Sequence, residues 1–377
     1  MSHLNNYFRG QAMKGKYVDA PVVVEANARL DFAGPWVDVD PWRRELGQQG
    51  ATVNVPISLK AVVEVRWRAS QLRVSGPSGS RLVSATDDLV VLHAKDTDAR
   101  AKIRASDVEN IEVHSSLALA QAAVLKIGLE GVEITTCSDA PPGSGVGSSS
   151  CMAVAIVKAL SLLNGGEMTL EEIIWLAREI ETTNLGISGG WQDYYPAAYG
   201  RGIHFMVWEG GADGGNLHEQ VRVSPGFVDR INSSMVVVYS GRSRLSGNIH
   251  SHVYGALRSD KLGVRAAFEA MTKQAQAARD AFRLGNFGTL CRTVNDSWHC
   301  QEQLHESVTN EDITGLFNCA FDNGAAAGKA CGAGGGGCVF FLAEPPDLRP
   351  KLVEAIEKQI KNPELSDAHV LDCKIVT

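Results

Sequence analysis

Residues 141–150 read Pro-Pro-Gly-Ser-Gly-Val-Gly-Ser-Ser-Ser, between a predicted strand at residues 132–136 and a predicted helix at residues 149–163. Glycines let the backbone approach a ligand closely and point successive N–H groups toward it. The following helix presents its positive end to an anion, and the serine hydroxyls add donors and a candidate magnesium ligand. The pattern predicts a phosphate-binding loop that is not a Walker A loop, since no Gly-Lys-[Ser/Thr] follows. The alternative is a plain Gly-Ser turn with a serine helix cap.

A second glycine-rich run, Gly-Lys-Ala-Cys-Gly-Ala-Gly-Gly-Gly-Gly, occupies residues 328–337. A helix is predicted before it, at residues 313–328, and a strand after it, at residues 338–343. A dinucleotide-binding fingerprint needs the opposite order, strand then helix, so that function is excluded. The run is expected to be a loop pressed against a substrate or another loop, with a flexible turn as the alternative.

Two acidic residues are candidates for chemistry. Asp193 lies in Gly-Gly-Trp-Gln-Asp-Tyr-Tyr at residues 189–195, where an aspartate could act as a general base. Glu181 ends a predicted helix at residues 170–181 and could bind magnesium near a phosphate loop. The alternatives are a loop carboxylate that caps a turn and a carboxylate on a solvated helix face.

A fourth segment, Ala-Arg-Leu-Asp-Phe-Ala-Gly-Pro-Trp-Val-Asp at residues 28–38, alternates charged and apolar residues. Side chains two positions apart lie on the same face of a strand, so Arg29 and Asp31 should point to one side. An edge strand with a solvated face is the alternative.

The composition sets broad limits. The chain has 377 residues, 36 basic and 43 acidic, with a formal net charge of −7. Such a surface does not attract polyanions, so nucleic acid is not an expected partner. Eight cysteines show no Cys-x-x-Cys pair and no zinc spacing. With no signal core and no run of about 18 apolar residues, a cytoplasmic protein with reduced thiols and no membrane partner is expected.

The order of predicted elements favours an α+β fold. Strands and helices are interleaved without the regular rhythm of a doubly wound sheet. Two strands are predicted at residues 52–58 and 61–67, and a long helical region at residues 253–283. The length suits two domains after a poorly ordered leader at residues 1–20. The domains are expected at residues 21–210 and 211–377.

Taken together and in this order, the four segments resemble those of the GHMP kinase superfamily, in its sugar-kinase branch. Residues 28–38 are similar to the Arg-Leu-Asp-Leu-Ala-Gly-Gly-Trp-x-Asp form of fucokinases. Residues 189–200 resemble the Gly-Gly-Lys-Gln-Asp-Gln-Tyr-Ala-Ala-Ala-Phe-Gly segment of heptose 7-phosphate kinases, and residues 239–244 fit the same branch. The chain departs from these patterns at Pro35, at Trp191 and at residues 38–41, all expected to face the sugar.

The resemblance implies a fold and a set of roles. The two domains would be the GHMP N-terminal, ATP-binding domain and the GHMP C-terminal domain, with the active site in the cleft between them. Asp193 would be the catalytic base and Arg29 its partner, while Ser149 and Glu181 would bind Mg²⁺. The residues expected to hold ATP are Pro142, Gly143, Ser144, Gly145, Val146, Gly147, Ser148, Ser149 and Ser150. The residues expected to contact the sugar are Asp38, Gly190, Trp191, Arg242, Arg244, Gly334 and Gly335.

The implied activity is transfer of the γ-phosphoryl group of ATP to a sugar hydroxyl. The expected acceptor is the anomeric hydroxyl of a heptose, such as a heptose 7-phosphate, or of a fucose-like hexose, and the expected state is a monomer or homodimer. A distal phosphate needs a cationic contact, for which Arg242 and Arg244 are candidates unless they lie on a solvated loop. Three alternatives stay open: a non-catalytic sugar sensor, a decarboxylating lyase on the same fold, and a kinase for a non-sugar alcohol.

Overall fold

The computed structural model describes most of the chain. The described residues are 20–76, 79–86, 89–104, 111–113, 115–166, 168–211, 215–242, 246–260, 263–361 and 367–377. The predicted leader at residues 1–20 lies outside them, apart from residue 20.

Thirteen strands are present in the described part of the chain. They are β1 (Val22–Ala33), β2 (Gly50–Trp67), β3 (Ala69–Gly76), β4 (Gly79–Thr86), β5 (Val90–Ala94), β6 (Ala99–Ile103), β7 (Val132–Ser138), β8 (Ile203–Trp208), β9 (Asn216–Val221), β10 (Met235–Tyr239), β11 (Ala325–Ala330), β12 (Cys338–Ala343) and β13 (His369–Leu371).

Ten α-helices accompany them over the same described ranges. They are α1 (Ala118–Ile127), α2 (Ser148–Leu163), α3 (Leu170–Glu179), α4 (Tyr194–Tyr199), α5 (Pro225–Ser234), α6 (Ser246–Ser259), α7 (Val264–Leu284), α8 (Phe287–Glu302), α9 (Glu311–Asp322) and α10 (Arg349–Ile360). Single π-helical turns lie at Pro41–Glu45 and Ile180–Asn184, and short 3₁₀ helices at Glu306–Val308 and Pro346–Leu348.

The chain forms two compact units, each assembled from separate stretches. The first contains Met1–Ala26, Ala61–Asp139 and Ser149–Ile187, and the second contains Asn27–Lys60, Ala140–Ser148 and Ser188–Thr377. This division differs from the predicted domains at residues 21–210 and 211–377, which stay a prediction. The mixture of helices and sheets in two units confirms the α+β expectation.

In the first unit, a sheet is built on the C-terminal half of β2. That half pairs antiparallel with β7, from Ala61 opposite Ser138 to Trp67 opposite Val132. Strand β7 runs parallel to β5, which pairs antiparallel with β6. Helix α3 begins at a capping box, in which Thr169 accepts from the amide of Glu172 and the Glu172 carboxylate accepts from that of Thr169. Glu181 lies on the π-helical turn that continues this helix.

In the second unit, the N-terminal half of β2 pairs antiparallel with β8, which pairs with β9. A separate antiparallel sheet has the order β11-β12-β10-β13. Its core includes Phe32 of β1, whose ring lies 5.2 Å from that of Phe282 and 5.0 Å from that of Phe340. A second cluster of this unit packs Trp42 against Phe268, at 5.0 Å between ring centroids. The C-terminal half of strand β1 therefore lies in the core of the second unit.

Four predicted elements were wrong in extent. The predicted helix at residues 313–328 ends at Asp322, and its alanine-rich end forms strand β11, because pairing with β12 overrides helix propensity. Residues 52–58 and 61–67 belong to the single strand β2. The helical region at residues 253–283 is divided between α6 and α7, and Gly263 at the start of α7 has a φ of +74°.

Among the described residues, the structure shows no helix with both the length and the apolar character that crossing a membrane requires.

Candidate active site

The predicted phosphate loop is a tight turn that leads directly into helix α2. Gly143, Gly145 and Gly147 have φ values of +68°, +74° and +72°, a region that favours glycine. The amide of Ser144 donates to the carbonyl of Pro141 at 3.1 Å. Since α2 begins at Ser148, the amides of its first turn have no partner within the helix. The loop and helix start therefore have the form of an anion cradle.

Strand β1 places Arg29 beside this loop. The backbone amide of Arg29 donates to the carbonyl of Val146 at 2.9 Å. Its guanidinium NH1 donates to the carbonyl of Gly145 at 2.7 Å. The Arg29 side chain is only 3% exposed, so these contacts form away from water.

The same guanidinium holds Asp193, the residue before helix α4. Arg29 Nε donates to Asp193 Oδ1 at 2.7 Å, and NH2 lies 2.5 Å from the same oxygen. Burial by itself lowers the pKa of Arg29, but the carboxylates of Asp193 and Asp31 outweigh it and raise that pKa above its ordinary value. Arg29 is therefore a permanent cation, and the Asp193 side chain, 26% exposed, is oriented by it. A Cβ on Gly147 would lie 3.3 Å from Asp193, so the loop approaches this carboxylate closely.

Asp38 fixes the segment that leads to Asp193. Its Oδ2 accepts the backbone amides of Trp191 at 2.6 Å and Gln192 at 2.8 Å. A Cβ on Gly190 would overlap the Asp38 carboxylate, so this approach requires glycine. Burial raises the pKa of Asp38 and the charge of Asp193 adds to the rise, whereas the two amide bonds oppose it. Asp38 thus holds the polypeptide of residues 190–192, a contact that the sequence did not predict.

Trp191 is a buried residue of the second unit, 8% exposed. Its ring centroid lies 6.5 Å from that of Trp208 on strand β8. The next residue, Gln192, accepts a hydrogen bond from Asn54 of strand β2 at 3.1 Å. The residues before Asp193 are therefore packed against the β2–β8 sheet.

The second glycine run is pressed against other loops, one of the two outcomes that its sequence allowed. A Cβ on Gly145 would lie 2.6 Å from the carbonyl oxygen of Cys331, and one on Gly332 would lie 2.7 Å from that of Gly145. Gly334 and Gly335 face residues 307–308: a Cβ on Gly334 would lie 2.5 Å from the carbonyl oxygen of Val308, and the Gly335 amide donates to that oxygen at 2.5 Å.

The arginines predicted to contact a distal phosphate lie after strand β10. Arg242 is about half exposed and forms an ion pair with Asp312 of helix α9. Its carbonyl accepts the amide of Gly337 at 3.0 Å, which ties it to the second glycine run. Arg244 lies outside the described residues.

In the first unit, the structure brings together the two predicted magnesium ligands. The hydroxyl of Ser149 donates to Glu181 Oε1 at 2.6 Å, and Glu181 is 2% exposed. One hydroxyl and one carboxylate are hard oxygen donors of the kind Mg²⁺ takes alongside phosphate oxygens and waters. The pair therefore fits such an ion chemically. Over the described ranges there is no cluster of three or more His, Cys, Asp or Glu that could hold a metal.

Sequence reasoning missed one part of the site. Lys329, inside the second glycine run, is fully buried and donates to Asp31 Oδ2 at 2.5 Å. Asp31 was predicted to share a face with Arg29, and Arg29 NH1 lies 3.6 Å from Asp31 Oδ1. A lysine flanked by small residues next to a buried strand was the available signal.

Comparison with family models identifies both parts of this architecture. The model of the GHMP kinase N-terminal domain matches residues 114–201, and that of the GHMP kinase C-terminal domain matches residues 278–362. The chain carries both domains of the GHMP kinases, which confirms the family indicated by the four motifs.

Two curated relatives are sugar kinases by name. The chain is 32% identical to D-glycero-alpha-D-manno-heptose 7-phosphate kinase of Campylobacter jejuni, over 59% of this chain and 64% of that protein. It is 28% identical to the bifunctional fucokinase/GDP-fucose pyrophosphorylase of Arabidopsis thaliana, over 90% of this chain and 32% of that protein. The chain thus spans less than two thirds of the length of either relative.

Solved structures confirm the fold. A D-glycero-D-manno-heptose 1-phosphate kinase from Bacteroides thetaiotaomicron superposes with a TM-score of 0.69 and 23% identity, covering 95% of this chain and 96% of that chain. Lactococcus lactis galactokinase, solved with galactose, gives a TM-score of 0.71 and 15% identity, covering 100% of this chain and 98% of that chain. At these identities the likeness concerns the two-domain GHMP kinase fold alone.

Proposed function

We propose that this chain is an ATP-dependent sugar kinase that transfers the γ-phosphoryl group to a sugar hydroxyl. The observation that carries the proposal is the double contact of Arg29, which binds Asp193 through one side of its guanidinium and the carbonyl of Gly145 through another. A carboxylate is thereby held against the glycine loop that, in this proposal, binds phosphate. Phosphoryl transfer depends mainly on such positioning and on charge stabilisation.

In this proposal Asp193 is the general base. Its carboxylate accepts the proton of the acceptor hydroxyl as the oxygen–phosphorus bond forms and the bond to the leaving ADP breaks. Arg29 holds the carboxylate in place and, as a permanent cation, stabilises its charged form. A non-catalytic sensor has no use for a base held this way, so the pair favours an enzyme.

The loop at residues 142–150 would hold the phosphates of ATP, with the first amides of helix α2 as donors. Ser149 and Glu181 would hold Mg²⁺. When bound, that ion neutralises charge on the phosphate oxygens. A Ser149→Ala, Glu181→Gln double variant should raise the concentration of MgCl₂ required for half-maximal turnover. The Mg²⁺ dependence of ATP binding, followed by the melting temperature, gives a second readout.

For the acceptor, we propose the anomeric hydroxyl of a heptose, such as a heptose 7-phosphate, or of a fucose-like hexose. The names of the two sugar-kinase relatives and the segments at residues 28–38 and 189–200 support this choice. Asp38 and Gly190 would border the sugar. Arg242 would bind a distal phosphate in place of its present ion-pair partner, Asp312. Similarity to mevalonate kinases, such as that of Thermococcus onnurineus at 29% identity over 60% of this chain and 63% of that protein, keeps a non-sugar alcohol as a second candidate acceptor.

A substrate panel tests the proposal. Free and phosphorylated heptoses, fucose, galactose and mevalonate are incubated with ATP and Mg²⁺ while ADP release is followed, with Asp193→Asn as the control. Phosphorus NMR of the product then reads the position, because an anomeric phosphate couples to H1. A product phosphorylated at a primary hydroxyl would contradict the proposed C1 position. ADP release with mevalonate alone would contradict a sugar acceptor and favour the non-sugar alcohol.

A further inference from the structure

Four charged side chains of the second unit form a line of alternating sign. Asp193 contacts Arg29, Arg29 lies 3.6 Å from Asp31, and Asp31 contacts Lys329 at 2.5 Å. Three of the four side chains are almost completely removed from water, and only Asp193 is partly exposed. The line therefore ends at the proposed base.

The Lys329–Asp31 pair is costly to bury. Two charges lose their hydration there, and a pair of apolar residues of similar size often serves stability as well or better. The pair does have further bonds: Lys329 Nζ donates to the carbonyl of Ala330 at 2.9 Å, and Asp31 Oδ1 accepts the amide of Gly332 at 3.1 Å. These bonds attach the second glycine run to strand β1.

The two glycine loops meet where these charges lie. Arg29 binds the carbonyl of Gly145 in the first loop, whereas Asp31, two residues along the same strand, binds the amide of Gly332 in the second. Between the loops, the amide of Cys338 donates to the carbonyl of Ser144 at 2.7 Å. Any shift of Gly332 would therefore displace Gly145 and the guanidinium bound to it.

We propose that Lys329 and Asp31 are positioning residues for the proposed phosphoryl transfer. The buried pair fixes the second glycine loop against the phosphate loop, and it balances the charge on Arg29 so that the guanidinium stays on Asp193. This inference rests on the proposed function, since it assigns the pair to the same reaction.

The charge balance has a testable sign. The charged and titratable groups around this line are Arg29, Asp31, Asp38, Asp193, Cys331 and Lys329. Burial raises the pKa of the Cys331 thiol well above its usual range, so that group is neutral. Without the Lys329 charge, Asp31 competes with Asp193 for Arg29. The anionic form of the proposed base, Asp193, is then less stabilised. As the pH is lowered, activity should therefore begin to fall at a higher pH than in the wild type.

The test compares Lys329→Met with the double variant Asp31→Asn, Lys329→Met in the full chain. For Lys329→Met, the acid limb of the kcat/KM profile should move up by about 1 pH unit. The double variant removes both charges, so its acid limb should return to the wild-type position. In both variants kcat should fall roughly 10- to 100-fold because the loops are misplaced, while the Kd for ATP stays within a few-fold.

Leu352→Ala is the matched control, because Leu352 is a fully buried residue of helix α10 in the same unit and this helix supplies none of the segments that form the proposed site. It should lower the melting temperature without moving the acid limb. If Lys329→Met does not fold, the test uses only the double variant Asp31→Asn, Lys329→Met. A wild-type kcat in that double variant would overturn the inference. An unmoved acid limb in folded Lys329→Met would do the same. A wild-type protein that transfers no phosphoryl group would instead overturn the proposed function and the inference with it.

Discussion

Replacing Asp38 distinguishes two roles for this residue, which are binding the sugar and anchoring the backbone of residues 190–192. If the residue only bound sugar, its removal would leave the stability of the ligand-free protein unchanged. The structure instead gives its Oδ2 two buried partners, the amides of Trp191 and Gln192. Asp38→Ala would remove the acceptor of both hydrogen bonds, immediately before the proposed base Asp193.

The expected loss follows from these two bonds. A hydrogen bond to a charged group contributes about 1.5–3 kcal/mol, so the pair could contribute about 3–6 kcal/mol. Burying the carboxylate offsets part of this, as the raised pKa of Asp38 indicates. We therefore expect a net loss of about 3 kcal/mol for Asp38→Ala. Asp38→Asn keeps an oxygen acceptor and should lose about 1 kcal/mol.

Urea denaturation of the ligand-free protein at pH 7 measures both losses, with Asp280→Ala on the surface of helix α7 as the control. The free energy of unfolding should also depend on pH, because the pKa of Asp38 is raised in the folded protein. The stability that Asp38 contributes is therefore greatest at low pH and declines as the pH rises through that pKa. The difference between wild type and Asp38→Asn should therefore narrow from pH 4 to pH 7. An Asp38→Ala protein within 0.5 kcal/mol of wild type would refute the anchoring role.

Three further outcomes are expected. Asp193→Asn should lower turnover by roughly 10²–10⁴-fold with ATP binding nearly intact, and near wild-type turnover would remove it as the base. Gly332→Ala should lower turnover more than Gly128→Ala: both glycines have positive φ, but a Cβ meets the carbonyl of Gly145 only at Gly332 and open space at Gly128. Burial, with the charge of a neighbouring histidine, lowers the pKa of His204 to about 3, so the stability from its neutral form is present above pH 6.5 and is lost as pH falls toward 3. The melting temperature of His204→Gln should fall less than that of wild type between pH 6.5 and pH 4, and equal slopes would contradict this.

The sequence predicted the parts of the site that depend on local pattern. Alternation along residues 28–38 placed Arg29 and Asp31 on one face, and the structure has them 3.6 Å apart. Glycine spacing at residues 141–147 predicted a tight turn before a helix, and three of these glycines have positive φ. Both features arise within a few residues, where backbone geometry is decided by the sequence itself.

Contacts and strand pairings between residues far apart in the sequence could not be predicted from local patterns. Lys329 is separated from Asp31 by 298 positions, so no local pattern could pair them. The helix predicted at residues 313–328 included residues 325–328, whereas antiparallel pairing with β12 makes residues 325–330 a strand. In both cases the deciding partner lies in another part of the fold.

The positions predicted to face the sugar require a different argument about specificity. The absence of a side chain at Gly190 allows close approach of the Asp38 carboxylate, and its absence at Gly334 allows close approach of the Val308 carbonyl. These glycines therefore determine how closely the backbone packs around the site. Trp191, which replaces the lysine of the heptose kinase segment, is buried near Trp208. A substitution at such a position alters packing as well as any contact with a sugar, so loss of activity there would not identify the acceptor. The acceptor must therefore be identified with the unaltered protein, by comparing substrates that differ in one hydroxyl or phosphate.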